Sequence, residues 1–406
     1  MKGLYAFFFC CFVVCGQWSC QAQANHPQIL VPISDQTNKN ELVGGGCDGC
    51  ELMYIGMPDK LQYIDTSAGW REQGQKLLIT GIVYKLDGKT PAADVIIYYW
   101  QTDHQGYYSP GKGLDPKALR HGHIRGWVKT GTDGKYAIYT IRPTPYPNRD
   151  IPAHIHTSVK EPGIANEYYL DEFVFDDDKL LTGDKRKALE HRGGSGILRV
   201  VASGDLLIAE HNIILGLHIP HYPVLSNSGK PSGLEIGEDS PSFTPYHAYG
   251  PDKGSRTCPV CKYGRYMGIL YFVGNHPEWD HIKKWLTFLE MQSMQRGKYL
   301  KAYFIYGNSY QYNASTRQKE LESIGKELNI RHIALTYVPS MQDTGTEVSL
   351  NKINPEVENT VIMYNHRNIV DKYISLQPTT ENFQMITNAL DKNKSKFFYL
   401  PEPKNE

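Results

Sequence analysis

The stretch KLLITGIVYKLDGKTPAADVIIYYWQTD, residues 76–103, contains two runs of β-branched and aromatic residues on either side of an Asp-Gly pair. The stretch WVKTGTDGKYAIYTI, residues 127–141, repeats this pattern around a second Asp-Gly pair. Short runs of this composition, separated by Asp-Gly turn signals, are typical of short β-strands. The sequence therefore predicts an all-β sandwich of about seven or more strands over residues 76–223.

The length and charge of the chain limit the number of domains and the kinds of partner that are expected. The chain has 406 residues, which is more than one typical domain. Its 43 Lys and Arg residues balance its 43 Asp and Glu residues, so no strongly basic face is expected. Nucleic acid and anionic membrane surfaces are therefore poor candidates as partners, and a small molecule or another protein is expected instead.

The first residues have the pattern of an export signal. A lysine precedes an apolar run, residues 4–16, that is too short to cross a bilayer, and AQA at residues 22–24 fits a signal-peptidase site. The sequence predicts a signal peptide at residues 1–24 and an exported protein, secreted or periplasmic, with no transmembrane helix in the mature chain. Lipid attachment at Cys20 is the alternative, and free export is favoured because Gln17 stands where a lipoprotein signal prefers a leucine-like residue.

Two C-x-x-C pairs, CDGC and CPVC, lie outside this leader. In an oxidising compartment each pair can close a local disulfide, Cys47 with Cys50 and Cys258 with Cys261. All four sulfurs together could instead hold a zinc ion. Local disulfides are favoured because the two pairs lie in different predicted domains, the first of them in an N-terminal extension at residues 25–75.

The stretch YPNRDIPAHIH begins at Tyr146 and ends with a His-x-His pair. Side chains of an extended segment alternate between its two faces, so His154 and His156 point the same way and can share one metal ion. Tyr146 lies beyond a proline-rich turn that can fold it back toward the same side. A second His-x-His pair, His121 and His123, is the alternative metal-binding pair.

Three stretches, YYWQTDHQGYYS, RGWVKTGTDGKYAIYTIRPTPYP and PAHIH, resemble the signature of the intradiol ring-cleavage dioxygenases, the catechol and protocatechuate 3,4-dioxygenase family. The resemblance covers about residues 76–222. It implies a non-haem ferric ion held by two tyrosines and two histidines, namely Tyr108, Tyr146, His154 and His156. Two phenolates are hard anionic donors that favour Fe(III), and two neutral imidazoles complete four protein ligands while leaving a position for hydroxide or substrate.

The resemblance implies an oxidoreductase that uses O2 to cleave a catechol-type aromatic diol between its hydroxyl-bearing carbons, giving a muconate-type diacid. Tyr146 corresponds to the axial ligand that leaves when the diol arrives. Family members carry an arginine three residues before the first histidine, where this chain has Ile151, so Arg149 is the candidate for that catalytic charge. Glu172 stands at a glutamine position of the family pocket. The alternative function is an exported iron- or ligand-binding protein that has lost turnover.

Beyond the predicted sandwich the composition changes. Residues 224–257 are rich in Ser, Gly and Pro without an apolar period, which predicts a linker. Residues 258–393 alternate between apolar runs and helical patterns in the order β-α-β-α-β-β-β-α, which resembles an α/β thioredoxin-like fold, and residues 394–406 form a tail. In thioredoxins the C-x-x-C follows the first strand and caps the next helix. Because CPVC precedes the strand here, a structural disulfide is favoured over thiol exchange.

Overall fold

The computed structural model describes residues 42–223 except Asp48, residues 230–395 except Gln311, and Phe398. The predicted signal peptide, the alternative lipidation site at Cys20 and most of the predicted tail lie outside the described residues. None of the helices in the described part of the chain combines the length and the apolar character that crossing a membrane requires.

The N-terminal half of the described chain is built from short strands. They are β1 (Ile64–Thr66), β2 (Lys76–Tyr84), β3 (Ile96–Gln101), β4 (Arg125–Lys129), β5 (Lys135–Ile141), β6 (His154–Lys160), β7 (Tyr168–Tyr169), β8 (Phe173–Phe175), β9 (Ile197–Leu198), β10 (Val201–Ser203), β11 (Leu206–Glu210) and β12 (Ile213–Ile214). One short helix, α1 (Gly183–Lys187), and three 3-10 turns, Cys50–Tyr54, Ala68–Arg71 and Pro116–His121, accompany them. We call this part the sandwich domain.

Two sheets form the sandwich domain. The first has the order β1-β5-β2-β11-β10 with β12 beside β2, and the second has the order β4-β3-β6-β8-β9 with β7 beside β6. Ile97 and Tyr99 of β3 and Ile155 of β6 are fully buried in the core cluster, together with apolar side chains of the first sheet. Because side chains alternate along a strand, Tyr98 and Trp100 leave this core and join a separate aromatic cluster. The predicted β-sandwich is thus confirmed.

Part of the predicted N-terminal extension belongs to the sandwich domain. Strand β1 pairs with β5 in parallel. The turn after Cys50 is held by Arg125, which donates to the carbonyl oxygens of Leu52 at 2.9 Å and Ile55 at 2.5 Å. A disulfide joins Cys47 to Cys50. Strand β1 is a run of only three residues, IDT, so no alternating pattern revealed it in the sequence.

The C-terminal half contains a mixed sheet with helices. Its strands are β13 (Tyr246–Tyr249), β14 (Met267–Val273), β15 (Leu300–Tyr306), β16 (Ala334–Tyr337), β17 (Thr360–Asn365) and β18 (Asn368–Ile374). Its helices are α2 (Pro259–Tyr263), α3 (Trp279–Arg296), α4 (Ala314–Glu327) and α5 (Thr380–Lys392), with 3-10 turns at Gly297–Tyr299 and Val348–Asn351. We call this part the C-terminal domain. The sheet order is β13-β16-β15-β14-β17-β18.

From β14 onward the helices and strands follow the order that the sequence predicted, and β14, β15 and β16 run parallel to one another. The thioredoxin-like assignment itself stays a prediction. Cys258 and Cys261 form a disulfide, and Cys258 is the N-cap of the five-residue helix α2, which the sequence did not predict. CPVC therefore precedes the strand β14, as expected, but caps a short helix of its own.

The segment predicted as a linker packs against both domains where the structure describes it. Leu234 and Phe243 are buried in a core cluster of the C-terminal domain, and β13 extends that domain's sheet. The amide of Gly237 donates to Ile369 in β18, and its carbonyl accepts from the amide of Ser195 in the sandwich domain. Residues 230–257 thus differ from the expected linker. Their buried apolar residues stand singly among polar ones, so no period indicated the packing.

Gly81 of β2 has no room for a side chain, because a Cβ atom there would meet the carbonyl oxygen of His211. We expect Gly81→Ala to lower the free energy of unfolding by about 1–3 kcal/mol, the usual cost of overpacking. Gly131→Ala is the control, since its Cβ would lie 3.7 Å from the nearest atom, and its effect should stay within about 0.5 kcal/mol. Urea denaturation measures both variants. An equal loss of unfolding free energy in the two would contradict the close packing assigned to Gly81.

Candidate metal centre

Two phenol oxygens and two imidazole nitrogens meet at one end of β6. Tyr108 Oη lies 2.6 Å from Tyr146 Oη and 2.8 Å from His156 Nε2. Tyr146 Oη lies 3.0 Å from His154 Nε2 and 3.5 Å from His156 Nε2. The structure therefore brings together the four side chains that the sequence marked as metal ligands. We call them the Tyr2His2 cluster.

The two histidines owe their direction to the strand that carries them. His154 and His156 are the first and third residues of β6, and Ile155 between them is fully buried in the sandwich core. His156 pairs across the sheet with Trp100 of β3, and their rings stack at 4.8 Å between centroids. The indole packs on His121 on its other side, at 4.0 Å. A rigid strand and a stacked ring therefore fix the His156 imidazole.

Tyr108 stands on a loop that one carboxylate organises. Asp103 Oδ1 accepts hydrogen bonds from the amides of Gln105 at 2.8 Å and Tyr107 at 3.1 Å. Asp103 Oδ2 accepts from the Ser109 hydroxyl at 2.5 Å. The hydroxyl and the amides together hold the loop in one shape immediately before and after Tyr108.

The loop that carries Tyr146 is tied to the loop that carries Tyr108. Thr102 Oγ1 donates to the carbonyl oxygen of Thr144 at 2.8 Å, and Thr144 Oγ1 donates to the carbonyl oxygen of His104 at 2.9 Å. These hydrogen bonds cross between the segment after β3 and the segment after β5. The approach of the two phenols therefore follows from hydrogen bonds between two loops.

The hydrogen bond at the far side of His154 determines which nitrogen faces the cluster. His154 Nδ1 lies 2.7 Å from the carbonyl oxygen of Pro152, which can only accept a hydrogen bond. The Nδ1 atom must therefore carry the proton. The lone pair of Nε2 then points toward Tyr146, ready to bind a cation.

A relay of two side chains does the same for His156. Its Nδ1 lies 2.5 Å from Tyr169 Oη, and Tyr169 Oη donates to Glu172 Oε1 at 3.0 Å. Because the tyrosine hydroxyl donates its hydrogen bond to the carboxylate, its oxygen accepts a hydrogen bond from Nδ1–H, and the lone pair of Nε2 again faces the cluster. Burial lowers the pKa of His156 well below its usual value, so the ring is neutral.

The two phenols keep their protons in the protein alone. Burial, followed by the hydrogen bond to Tyr146, raises the pKa of Tyr108 far above its usual value, and burial also raises the pKa of Tyr146. A cation in the cluster reverses this tendency because it stabilises both phenolates. No group of three His, Cys, Asp or Glu side chains within the described ranges is arranged to hold a metal ion. The tyrosines complete the donor set, which fits a hard cation such as Fe(III).

Two cavities reach the cluster from different sides, and Tyr146 and His156 line both. The first, about 420 Å³, is lined mainly by aromatic rings, among them Trp100, Tyr108 and Tyr169, together with Arg120 and Arg192. The second, about 410 Å³, has an apolar wall and three charged side chains, and its remaining lining is Asp150, Ile151, Pro152, His154, Glu172, Val174, Leu181, Lys185 and Leu189. Each is large enough for a single aromatic ring.

The predicted catalytic cation does not line either cavity. Arg149 is exposed, and its guanidinium acts on Tyr146 only as a positive charge that opposes the effect of burial on the pKa of that phenol. A catalytic role of Arg149 stays a prediction. Lys185 of α1 lines the same cavity as Ile151 and pairs with Asp150 at 2.9 Å. No pattern in the sequence indicated Lys185, because it lies 34 residues beyond Ile151.

The alternative pair, His121 and His123, does not face a common centre. His121 Nδ1 lies 2.8 Å from Tyr98 Oη beneath the aromatic cluster. His123 uses both nitrogens, Nδ1 with the carbonyl oxygen of Ser109 at 2.7 Å and Nε2 with Glu72 at 2.6 Å. These two histidines serve separate hydrogen bonds rather than one metal site.

Tyr169 was not singled out by the sequence. It forms β7 with Tyr168, which points the other way and donates to Glu161 at 2.7 Å in the buried interior. A two-residue strand with two tyrosines gives no sign of which one turns to the site. The spacing of three between Tyr169 and Glu172 was the available signal, and it became meaningful only beside His156.

Comparison with known proteins places similarity in the part of the chain that holds the cluster. Residues 56–206 match the model of a family described as Dioxygenase. A chlorocatechol 1,2-dioxygenase of Cupriavidus pinatubonensis is 30% identical over 140 residues, covering 29% of this chain and 51% of that protein. A hydroxyquinol 1,2-dioxygenase of a Rhizobium species is 30% identical over 130 residues, covering 28% and 41%. At best, the chain spans about half the length of these curated relatives.

Among solved structures, this chain is similar to the dioxygenase domain of a dioxygenase carbohydrate-binding protein fusion from the cellulolytic bacterium Streptomyces sp. SirexAA-E. The sequence identity is 23%, and the TM-score is 0.30. The similarity covers 40% of this chain and 90% of that one.

The Tyr169 hydroxyl should matter for metal binding because it orients His156. We expect Tyr169→Phe to weaken Fe(III) binding about 10-fold to 100-fold, as loss of a partner behind a metal-binding histidine usually does. Tyr107→Phe is the control, since that side chain is exposed beside Tyr108. Competition with a ferric chelator measures both affinities. Identical affinities in the two variants would show that the relay does not position His156.

Proposed function

We propose that residues 56–206, which match the dioxygenase family model, bind non-haem Fe(III) and cleave a catechol-type diol with O2. The proposal rests above all on the convergence of two tyrosine Oη and two histidine Nε2 atoms inside the matched segment. When bound, the ferric ion supplies the positive charge that stabilises the phenolates and the deprotonated diol. The product would be a muconate-type diacid.

The second cavity is the better place for the ring of the diol. Ile151, Val174 and Leu181 give it an apolar wall, against which an aromatic ring loses contact with water. Tyr146 and His156 lie at its inner end, so a ring held against this wall presents its hydroxyls to the cluster. Lys185 in the lining, paired with Asp150, is the cation that can balance negative charge on the diol.

Tyr146 is the residue suited to take a proton from the diol. Its Oη lies between Tyr108 Oη and His154 Nε2, and its side chain is only half-buried. Tyr108 is held more firmly, since the Asp103 turn encloses it and His156 Nε2 is 2.8 Å away. A phenolate at Tyr146 that moves away from the cluster can accept the proton of a diol hydroxyl at Oη.

The relay through Tyr169 and Glu172 keeps the His156 imidazole neutral, with Nε2 facing the cluster, while the diol binds. Glu172 accepts a hydrogen bond from the Tyr169 hydroxyl, and the Tyr169 oxygen accepts one from Nδ1–H of His156, so both donors keep their protons while the diol binds. Glu172 also lines the second cavity. Its carboxylate replaces the neutral amide expected at this position, so this wall carries a negative charge that Lys185 has to offset.

A second candidate function is an iron- or diol-binding protein without turnover. The observation that favours it is Ile151, an apolar side chain at the position where family members are expected to carry an arginine. Lys185 comes from another segment and already pairs with Asp150. The two functions therefore differ in whether the anionic intermediates of ring cleavage are stabilised in this cavity.

Oxygen consumption separates the two functions. We expect the iron-loaded chain to consume O2 when catechol, chlorocatechol or hydroxyquinol is added, and to incorporate both atoms of labelled O2 into a ring-opened diacid detected by mass spectrometry. His154→Ala is the control, because it removes one nitrogen of the cluster. Iron binding without O2 consumption for any diol would favour the binding protein, and incorporation of one labelled atom would contradict a dioxygenase.

The phenylalanine variants of the two tyrosines should differ in which property they lose, the iron content or the rate of product formation. Tyr108→Phe removes a donor needed throughout, so we expect iron content to fall at least about ten-fold, in line with the loss of a charge-assisted contact. Tyr146→Phe should keep more iron but slow product formation, because phenylalanine cannot accept the diol proton. Iron analysis and initial rates measure the two effects. Equal iron contents and equal rates in the variants would show that the assigned roles are wrong.

A further inference from the structure

A cavity of about 510 Å³ lies between the sandwich domain and the C-terminal domain. Thr80 and Ile82 of β2 and Glu210 of β11 line it on one side. Asn365 and His366, at the tip of the hairpin formed by β17 and β18, line it on the other. No residue of the Tyr2His2 cluster lines this cavity. It therefore has no part in the function proposed above.

Three buried polar atoms at this cavity have no hydrogen-bond partner within the described residues. They are Arg199 Nε, Asn365 Oδ1 and His366 Nε2. The nearest carboxylate oxygen to Arg199 Nε is Asp176 Oδ2 at 3.8 Å, which is beyond hydrogen-bond distance. A buried polar group without a partner is destabilising, so three in one cavity indicate a polar ligand, to which Arg199 Nε and His366 Nε2 can donate.

The charges beside these atoms do not balance. Arg199 pairs with Asp239, donating from Nη1 at 3.1 Å, and Arg186 Nη1 pairs with Asp176 at 2.5 Å. Arg367 is a third arginine in this group: burial, followed by the charge of Arg199, lowers its pKa, while Asp176 and Asp239 oppose that effect. Three guanidinium groups therefore share two carboxylates. The excess positive charge attracts an anion.

The charged side chains along the cavity wall are also mostly positive. Its charged side chains are Arg199, Lys392, Lys394 and Lys135, the last of which pairs with Asp133 at 2.7 Å, against the single carboxylate Glu210. Glu210 accepts a hydrogen bond from the Ser395 hydroxyl. The cationic side chains thus outnumber the carboxylates both at the arginine group and along the wall.

The hairpin tip adopts a backbone that its residues do not favour. His366 and Arg367 are the two central residues of the turn, with φ of 49° and 68°. Two successive positive φ angles are the mark of a turn that strongly prefers Asn-Gly, because side chains with a full Cβ substituent are strained there. The strain is retained at the place where these two side chains reach the arginine group, which is typical of a binding site.

We propose that this cavity binds a small oxyanion, a carboxylate or a phosphate, through Arg199 and His366. A guanidinium Nε–H and an imidazole N–H both donate to oxyanions. Burial, followed by the charge of Arg199, lowers the pKa of His366 to about 4, so the ring is neutral and can present Nε2 as a donor. Lys392 at the wall can hold a second anionic group of the same ligand.

Titration of the purified chain without iron tests the proposal. Succinate, phosphate and chloride are added in separate arms at the same ionic strength, with calorimetry and the melting temperature as readouts. We expect saturable binding of one oxyanion per chain and a rise in the melting temperature, with chloride giving neither. Preference for succinate would assign a carboxylate ligand, and preference for phosphate would assign a phosphate ligand. Equal responses to all three salts would overturn the proposal.

A change of the turn separates binding from folding. The double variant His366→Asn with Arg367→Gly places the favoured residues in the turn, so without anion its melting temperature should equal or exceed that of the wild type. Its affinity for the oxyanion should fall at least about ten-fold, because a charge-assisted contact is lost. Lys319→Gln, an exposed change on α4, is the control. If the double variant fails to fold, His366→Asn alone gives the same comparison, and unchanged affinity overturns the proposal.

Discussion

Burial of Ile155 in the sandwich core is the constraint on which the candidate metal centre depends. Because that one side chain is fully buried, its neighbours His154 and His156 must leave the core on the opposite face. A slip of one residue in the register of β6 would bury both imidazoles and expose an isoleucine. Pairing with β3 fixes the register, since Trp100 then stacks on His156. The packing that buries Ile155 in the core therefore also determines the direction of both imidazoles at the site.

Most of the strands and the pair His154 and His156 could be predicted from the sequence because they leave a local pattern, whereas Tyr108 followed only from the resemblance to the dioxygenase signature. Asp-Gly pairs mark the turns at which the chain passes between the two sheets, from β2 to β3 and from β4 to β5, and a period of two marks His154 and His156. The surroundings of the donors could not, since they depend on contacts between distant segments. The relay through Tyr169, the cation Lys185 and the packed segment at residues 230–257 all come from residues without a period of their own. Burial and hydrogen bonding reveal them only in three dimensions.

Hydrogen bonds of the segment at residues 230–257 connect the two domains. Gly237 bonds to Ser195 on one side and to Ile369 on the other, so the segment between the domains holds them together rather than apart. This contact encloses the arginine group around Arg199 and the strained turn at His366. The unsatisfied polar atoms at this junction are destabilising unless a ligand binds to them. A ligand there would link the two domains energetically.

The central claim is that two phenols and two imidazoles hold one ferric ion, and visible absorption tests it most directly. The purified chain is titrated with Fe(III) in the presence of a competing chelator while the spectrum is recorded. We expect a red to burgundy charge-transfer band from phenolate to Fe(III) that saturates at one iron per chain, because Tyr108 and Tyr146 both release their protons to solvent when the cation binds. Saturation with iron without such a band would contradict tyrosine ligation and, with it, the account of the site.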